Sequence, residues 1–216
     1  SHPARFDTVF VGGGTPTLLG AEPLIELLET CRRFLDIAPD AEVTIEANPG
    51  TVSAQDLSCL HGAGVNRLSL GVQSLHDREL LLLGRIHDAK QAIEAYNLAR
   101  VAGLANINID LMFGLPGQSL EDWRDVVEGA VALRAEHLSL YALTIEEGTP
   151  IAMSLEQGQL PAIDDARVAE MYDLAERVLA REGYVHYEIS NWAHGRKGLD
   201  AEALPMLACA HNLKYW

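Results

Sequence analysis

Residues 8 to 17 read Thr8-Val9-Phe10-Val11-Gly12-Gly13-Gly14-Thr15-Pro16-Thr17. The first four are β-branched or aromatic, as in a buried strand, and the three glycines end that strand in a turn. Because glycine has no Cβ, a ligand can approach the backbone of such a turn closely. The stretch lacks G-x-G-x-x-G spacing and no lysine follows it, so neither nucleotide-binding fingerprint is present. The alternative is a tight turn that only packs a strand against a helix.

Short β-rich runs alternate with amphipathic helical patterns along the rest of the chain. Five such runs, each followed by a helical pattern, lie at residues 8–11, 43–46, 67–72, 107–112 and 137–141. A further strand-like run, residues 185–189, follows the longest helical pattern. This alternation predicts an α/β fold of parallel strands with crossover helices. Periodicity leaves two forms open, an open doubly wound sheet and a barrel.

Helix starts and apolar stripes are readable as well. Ser53 begins a short helix with a capping-box pattern, and Ser119 caps a later one. Trp123 lies on the apolar stripe of that later helix, so we expect its indole in the core. In the first helix the apolar stripe is predicted to contain Leu24, Leu27, Leu28, Cys31 and Leu35.

The charge balance of the chain is acidic. It carries 16 Lys and Arg against 31 Asp and Glu, a formal net charge of −15, and its pI is about 4.8. Such a field repels nucleic acids and anionic membranes, so neither is an expected partner. With 48% apolar and 22% charged residues, the composition is that of a globular chain. No apolar run approaches the ~18–20 residues that span a bilayer.

Cysteine and histidine usage predicts neither a disulfide framework nor a metal site. The cysteines are far apart, with no Cys-x-x-Cys spacing: Cys31, Cys59 and Cys209. The candidate histidine ligands are equally scattered: His87, His186 and His211. An odd number of separated thiols fits a reducing, cytoplasmic location. The chain begins Ser1-His2-Pro3, without methionine or leader, which predicts an excised segment rather than a natural start.

Polar residues stand where the predicted strands end. Ligand sites of parallel α/β folds lie beyond the carboxyl ends of the strands, so these residues are candidates for one site. In chain order they are Gly13, Gly14, Thr15, Glu46, Gln73, Arg85 and Asp110, of which Arg85 comes from just beyond the third strand rather than from its end. Glycines, two carboxylates, an amide and a guanidinium suit a polar, zwitterionic ligand that carries hydroxyls. Taken singly, each carboxylate has the alternative of a solvated charge, and the arginine that of a surface ion pair.

Eight longer motifs surround these residues and cover nearly the whole chain. They are Phe10–Leu19, Ile45–Gly50, Leu70–Ser74, Leu83–His87, Asn108–Gln118, Leu138–Thr144, Tyr187–Asn191 and His211–Trp216. In this order they resemble the radical S-adenosylmethionine (radical SAM) family, in the group of the oxygen-independent coproporphyrinogen III oxidases. The last two motifs look like those of the heme chaperone (HemW) branch rather than the coproporphyrinogen dehydrogenase (HemN) branch.

The resemblance decides between the two forms of the sheet. It implies a partial (β/α)6 radical SAM barrel, similar to a TIM barrel, in which the five predicted strands are the second to the sixth. The first strand and a small C-terminal domain are then expected outside the chain. Residues 1–192 are expected to form the core barrel, and residues 193–216 the start of a linker to a C-terminal domain of the HemN type.

The resemblance also implies cofactors. Gly13, Gly14 and Thr15 match the turn that holds the methionine ammonium of S-adenosylmethionine (SAM), and the other four candidates match further SAM contacts. Arg85 suits the methionine carboxylate, whereas the two carboxylates suit the ribose hydroxyls or the ammonium. The family holds a 4Fe-4S cluster on a Cys-x3-Cys-x2-Cys loop, which is expected upstream of residue 1. No cysteine of this chain substitutes for that loop, so the segment alone is expected not to cleave SAM.

The implied function is the binding of SAM, the cluster and heme, with heme inserted into target hemoproteins. His211 looks like the histidine of the family's HNxxYW motif and is a candidate heme ligand; its alternative is a structural histidine at the interface to the next domain. Recipient hemoproteins and an electron donor are implied partners, with membrane contact only through the recipients. Three alternatives stay open: radical decarboxylation of coproporphyrinogen III in porphyrin biosynthesis, heme carriage without turnover, and a generic sugar-phosphate enzyme.

Overall fold

A computed structural model describes residues 5–195 and 208–214. Within them lie the strands β1 (Arg5–Val11), β2 (Asp36–Ala47), β3 (Arg67–Gln73), β4 (Asn106–Phe113), β5 (His137–Ala142), β6 (Tyr184–Glu188) and β7 (Asn191–His194). They form one sheet in the order β1-β2-β3-β4-β5-β7-β6. β1 to β5 are parallel, and β7 pairs antiparallel with β5 and β6. The curled, mostly parallel sheet confirms the predicted partial barrel.

Helices connect the parallel strands. The α-helices are α1 (Ala21–Phe34), α2 (Ala54–Gly62), α3 (Asp77–Leu82), α4 (Ala89–Val101), α5 (Leu120–Ala132), α6 (Pro150–Glu156) and α7 (Asp165–Arg181). Short 3-10 helices occupy Pro16–Leu19 and Asn212–Lys214. The predicted capping at Ser53 is present, since its hydroxyl accepts the backbone N–H of Asp56; Ser119 caps α5 in the same way through Asp122. The sequence pattern did not predict the two short helices α3 and α6.

The core lies between the sheet and these helices. Alternate strand residues point toward the helices and are buried, among them Val43, Ile45, Leu68, Leu70, Ile107, Ile109, Leu138 and Leu140. Trp123 is fully buried as predicted, and its indole N–H donates to the carbonyl of Met171 at 2.9 Å. The predicted stripe of α1 is wrong in part, because Leu27 and Leu35 are 46% and 43% exposed. Leu35 follows the end of the helix in extended backbone, so helical spacing no longer sets its direction.

The opposite face of the same strands is polar, and we call it the inner face. Side chains alternate along a strand, so residues between the apolar ones point to this side. It carries Glu42, Thr44, Glu46, Arg67, Ser69, Asn108, Asp110, His137 and Ser139. A parallel sheet packed on both faces ordinarily reads as continuous apolar runs. The inner face is therefore built for polar contacts rather than for further core.

The strand-like run at residues 185–189 corresponds to β6, and the chain then turns back into β7. β7, rather than β6, lies beside β5, so the hairpin extends the sheet in antiparallel fashion. The expected division between residues 192 and 193 stays a prediction. Residues 1–4 lie outside the described residues, as do residues 196–207 and Tyr215-Trp216 of the expected linker. Over residues 5–195 and 208–214, none of the helices combines the length and apolar character needed to cross a membrane.

Candidate functional site

A polar cavity of about 330 Å³ lies on the inner face, at the carboxyl ends of the parallel strands. Six of the seven predicted site residues line it: Gly14, Thr15, Glu46, Gln73, Arg85 and Asp110. The seventh, Gly13, lies beside it and donates its backbone N–H to Oε2 of Glu46 at 3.0 Å. The structure thus brings the seven residues together; their role as ligands stays a prediction.

The glycine turn after β1 needs glycine for its backbone conformation. Gly13 and Gly14 have φ of +93° and +64°, a region that residues with a side chain rarely adopt. Space is not the constraint there, because a Cβ on either glycine would meet nothing within 4 Å. At Gly12 space is the constraint, since a Cβ would lie 2.9 Å from the carboxyl group of Glu46. The turn and the end of β2 therefore fit closely against each other.

Asn48 supports this turn, although the sequence indicated it only as a member of the motif Ile45–Gly50. Its amide Nδ2 donates to Oγ1 of Thr15 at 2.7 Å. A Cβ on Gly71 would lie 2.5 Å from Oδ1 of Asn48, so β3 needs a glycine at that place. The sequence signal that could have identified Asn48 is its spacing. It follows Glu46 by two residues at the end of one strand, and residues two apart in a strand point to the same face.

Gln73 lies at the end of β3 with a φ of +68°. Among the described residues, only Gln73 and Arg134 combine a side chain with positive φ. Such a backbone costs on the order of 1–3 kcal/mol and is concentrated at functional sites. The strain at Gln73 directs a buried amide side chain into the cavity.

Arg85 is the cavity's candidate for holding an anion. Burial lowers the pKa of its guanidinium, and the neighbouring carboxylate of Asp110 opposes that shift. Among the described residues, its side chain has no hydrogen bond or ion pair, whereas its backbone N–H donates to the carbonyl of Leu80 at 2.9 Å. A guanidinium offers several donors in a planar fork that matches a carboxylate. Its donors are thus available to a ligand carboxylate.

Asp110 is a partly desolvated carboxylate held by two donors. Burial raises its pKa, and the charge of Glu46 adds to that effect. Hydrogen bonds from Ser69, at 3.0 Å, and Asn108, at 2.7 Å, act in the opposite direction, as does the charge of Arg67. The carboxylates of Asp110 and Glu46 both face the cavity, so they favour a cationic or hydroxyl-bearing ligand there.

The residues of the cavity fit SAM. That molecule carries an ammonium, a sulfonium, a carboxylate and two ribose hydroxyls, and the cavity offers carboxylates, a guanidinium and exposed backbone groups. The described residues do not fit a 4Fe-4S cluster. Over residues 5–195 and 208–214 no group of three or more His, Cys, Asp or Glu side chains could hold a metal ion.

His211 lies in the segment 208–214, which packs against the inner face. Its Nδ1 lies 3.1 Å from Oγ1 of Thr8, and its ring stacks on Phe10 with centroids 5.1 Å apart. Glu42 holds the segment, because its carboxylate accepts the backbone N–H groups of Ala210 and His211 at 3.1 Å each. Phe10 also lines the cavity, so the histidine is next to the candidate SAM site without lining it.

Arg67 is a further cavity residue that the sequence analysis did not select. Its side chain is 2% exposed, and its Nε lies 4.0 Å from Oε2 of Glu42 without a hydrogen-bond partner. The sequence signal that could have identified Arg67 is a charged residue inside a predicted strand. Arg67 opens β3, and its neighbours on the inner face are equally polar.

Comparison with known proteins identifies the family of the chain. The sequence model of the Radical SAM superfamily matches residues 2–130. The heme chaperone HemW of Mycobacterium tuberculosis is 41% identical over 209 residues, which cover 97% of this chain and 51% of that protein. The HemW of Escherichia coli is 42% identical over 211 residues, covering 97% and 52%. The chain thus spans about half the length of the curated relatives it matches.

Among solved structures, coproporphyrinogen III oxidase (HemN) from Escherichia coli, a radical SAM enzyme, is similar with a TM-score of 0.78. The two chains are 27% identical, and the match covers 92% of this chain and 45% of that one. The match to the superfamily model extends over more than half of the chain. The chain belongs to the radical SAM superfamily, within which its sequence fits the HemW branch of the coproporphyrinogen oxidase-like group.

Proposed function

We propose that this chain is the central part of a HemW-like protein that binds SAM, a 4Fe-4S cluster and heme, and that delivers heme to target hemoproteins. The observation that carries the proposal is the convergence of Gly14, Thr15, Glu46, Gln73, Arg85 and Asp110 on one polar cavity. Residues 1–192 would form the core barrel, and residues 193–216 the start of a linker. The proposed location is the cytoplasm, with recipient hemoproteins and an electron donor as partners.

SAM would lie across the carboxyl ends of the strands. Arg85 would bind the methionine carboxylate in bidentate fashion, because its donors have no other described partner. The backbone carbonyl groups of the turn at Gly13 and the carboxylate of Glu46 would accept hydrogen bonds from the ammonium. Asp110 would accept from ribose hydroxyls, while the side chains around it exclude water from the sulfonium. In the complete protein, a cluster held by ligands outside the described residues would supply the electron for reductive cleavage of SAM.

Heme would be held in part by His211. The ring lies against Phe10, at the boundary between the cavity and the segment 208–214. Coordination of iron through Nδ1 would replace the hydrogen bond with Thr8. The higher identity to HemW proteins, 41–42% against 27% for HemN, supports heme transfer over decarboxylation of coproporphyrinogen.

The test uses the complete gene product that contains this chain, with its cluster reconstituted. Calorimetry is expected to show SAM binding that Arg85→Met weakens and the control Arg78→Met leaves unchanged. Arg78 is an exposed arginine that pairs with Asp122 outside the cavity.

Incubation with heme and an apo-hemoprotein is expected to transfer heme with no change in the tetrapyrrole. Formation of decarboxylated porphyrin together with 5′-deoxyadenosine from coproporphyrinogen III would identify an oxidase instead. An absence of SAM binding to the cluster-loaded protein would contradict the assignment of the cavity.

A further inference from the structure

A chain of hydrogen bonds runs inside the barrel from the segment 208–214 to the cavity. The backbone N–H of Cys209 donates to Oη of Tyr187 at 3.1 Å. Oη of Tyr187 lies 2.6 Å from Nε2 of His137, and Nδ1 of His137 lies 2.6 Å from Oδ1 of Asn108. Nδ2 of Asn108 then donates to Oδ1 of Asp110 at 2.7 Å. Four contacts thus connect the segment to a carboxylate of the candidate SAM site.

The chemistry of the groups gives this chain one direction. Oδ1 of Asn108 can only accept, so the proton of a neutral His137 lies on Nδ1. Nε2 of the same ring is then an acceptor, and the hydroxyl of Tyr187 donates to it. Burial holds the pKa of His137 well below its usual range, and that of Tyr187 is raised to about 12, so both groups are neutral near pH 7. Every donor in the chain therefore points toward Asp110.

The chain also fixes the orientation of the Asn108 amide. His137 and Ser139 both lie against Oδ1, at 2.6 and 3.1 Å, while Nδ2 faces Asp110 and Ser69. A rotated amide would place its oxygen against the carboxylate of Asp110 and its NH2 against the protonated Nδ1 of His137. Because His137 and Asn108 are almost completely buried, water does not replace these contacts at low cost.

We infer that Tyr187, His137 and Asn108 form a positioning unit for Asp110, which holds its carboxylate toward the SAM cavity and ties it to the segment 208–214. Tyr187 and His137 do not line the cavity and act through Asn108, which lines it and holds Asp110. This inference rests on the proposed function, since it assumes that Asp110 contacts SAM. It assigns a role to Asn108 and Tyr187, which begin two of the family motifs, and to His137, which lies just outside a third.

A double-mutant cycle on the complete, cluster-loaded gene product tests the inference. Tyr187→Phe removes one hydroxyl and keeps the ring, and it is expected to weaken SAM binding about fivefold by calorimetry. In an Asp110→Asn background the same change is expected to weaken SAM binding less than about twofold, because the carboxylate through which Tyr187 acts is already replaced. Asp110→Asn alone is expected to weaken SAM binding by about tenfold or more.

Tyr184→Phe is the matched control. Tyr184 lies on the same strand, and its buried hydroxyl donates to the carbonyl of Ala135 at 2.7 Å, outside the chain of hydrogen bonds. Its substitution is expected to change SAM affinity less than about twofold in either background. His137→Gln is carried through the same cycle, so that the result does not depend on the folding of one variant.

Each outcome separates the inference from the proposed function. If Tyr187→Phe weakens SAM binding equally with Asp110 and with Asn at that position, the role is merely structural and the inference is overturned. An unchanged affinity in Tyr187→Phe overturns it as well, while the proposed function stands. If Asp110→Asn leaves SAM binding intact, Asp110 is not a SAM contact, and the site assignment fails together with the inference.

Discussion

Two layers of the inner face use similar polar residues in different ways. The upper layer, Glu46, Gln73, Arg85 and Asp110, lies at the carboxyl ends of the strands and lines the cavity. The lower layer, Glu42, Arg67, His137 and Tyr187, contacts the segment 208–214 or the residues that hold it, and of these four only Arg67 also lines the cavity. Among the described residues the side chain of Arg85 has no hydrogen bond, whereas the carboxylate of Glu42 accepts backbone N–H groups of the segment 208–214. In the proposed function the upper layer binds SAM, whereas the contacts of the lower layer hold the segment 208–214.

Among the changes that test this comparison, substitution of Arg67 is expected to have the largest effect on the free energy of unfolding. Arg67→Met takes away the buried cation beside Glu42 and is expected to lower the free energy of unfolding by about 3 kcal/mol. Urea denaturation measures the loss. The control Arg78→Met breaks an exposed pair with Asp122 and is expected to cost less than about 1 kcal/mol. Equal stability of the two variants would contradict a holding role for the lower layer.

The same substitution in the upper layer is expected to affect binding instead. Arg85→Met is expected to weaken SAM affinity about thirtyfold, or about 2 kcal/mol, because a charge-assisted contact to the carboxylate is lost. Its free energy of unfolding is expected to change by less than about 0.5 kcal/mol, since the side chain has no described partner to lose. Calorimetry and urea denaturation of one preparation compare the two quantities. A large loss of stability would show that the layers do not differ in this way.

The pH dependence of stability is expected to report on the lower layer. His137 is neutral in the folded protein because burial holds its pKa well below 6.5. Below about pH 6.5 the unfolded chain binds a proton there and the folded one does not, so stability falls as pH falls. The expected contribution is about 1.4 kcal/mol per pH unit, to which His87 adds, since burial lowers its pKa as well.

His137→Asn is expected to remove the His137 share of that slope between pH 6.5 and 5. Urea denaturation at several pH values measures it. Tyr184→Phe, a buried change without a group that titrates in this range, is expected to keep the slope. An unchanged slope in His137→Asn would mean that the imidazole takes up its proton in the folded state.

The smallest expected effect concerns the docking of the segment 208–214. Thr8→Val keeps the shape of the side chain and removes the hydrogen bond to His211, at a cost of about 1 kcal/mol or less. Hydrogen exchange of the segment's amides is expected to become faster. Thr51→Val removes a hydroxyl contact of the same kind, to Thr17 at 2.7 Å, and is expected to leave that exchange unchanged. Unaltered exchange in Thr8→Val would show that Thr8 does not hold the segment.

Much of the upper layer could be predicted from the sequence because its geometry follows from one rule. Parallel strands place their carboxyl ends at one edge, so polar residues that end successive strands meet there. That rule needs only the strand positions, and the sequence pattern predicted these closely for β3, β4 and β5. For β2 it predicted residues 43–46 of a strand that extends over Asp36–Ala47. The first half of β2 was not predicted because it contains Pro39 and charged residues beside it, and these residue types are depleted in strands.

The lower layer could not be predicted in the same way. Its contacts depend on which strand residues face inward and on a segment that returns from far along the chain. Glu42 and His211, for example, are 169 residues apart in sequence. β7 was missed for a related reason, because four residues carry little pattern and their pairing with β5 is decided by the fold.

The contacts between β1 and the segment 208–214 have a consequence for the order of folding. Lys214 and Asp7 meet at 2.5 Å across 207 residues of sequence, and Thr8 meets His211 across 203. Closing so long a loop is entropically costly, so such contacts form after the local βα units. The segment needs β1, β2 and β6 in place before its amides and His211 have partners. The motif histidine therefore reaches its position only on the assembled sheet, and its environment reports whether β1, β2 and β6 are in place.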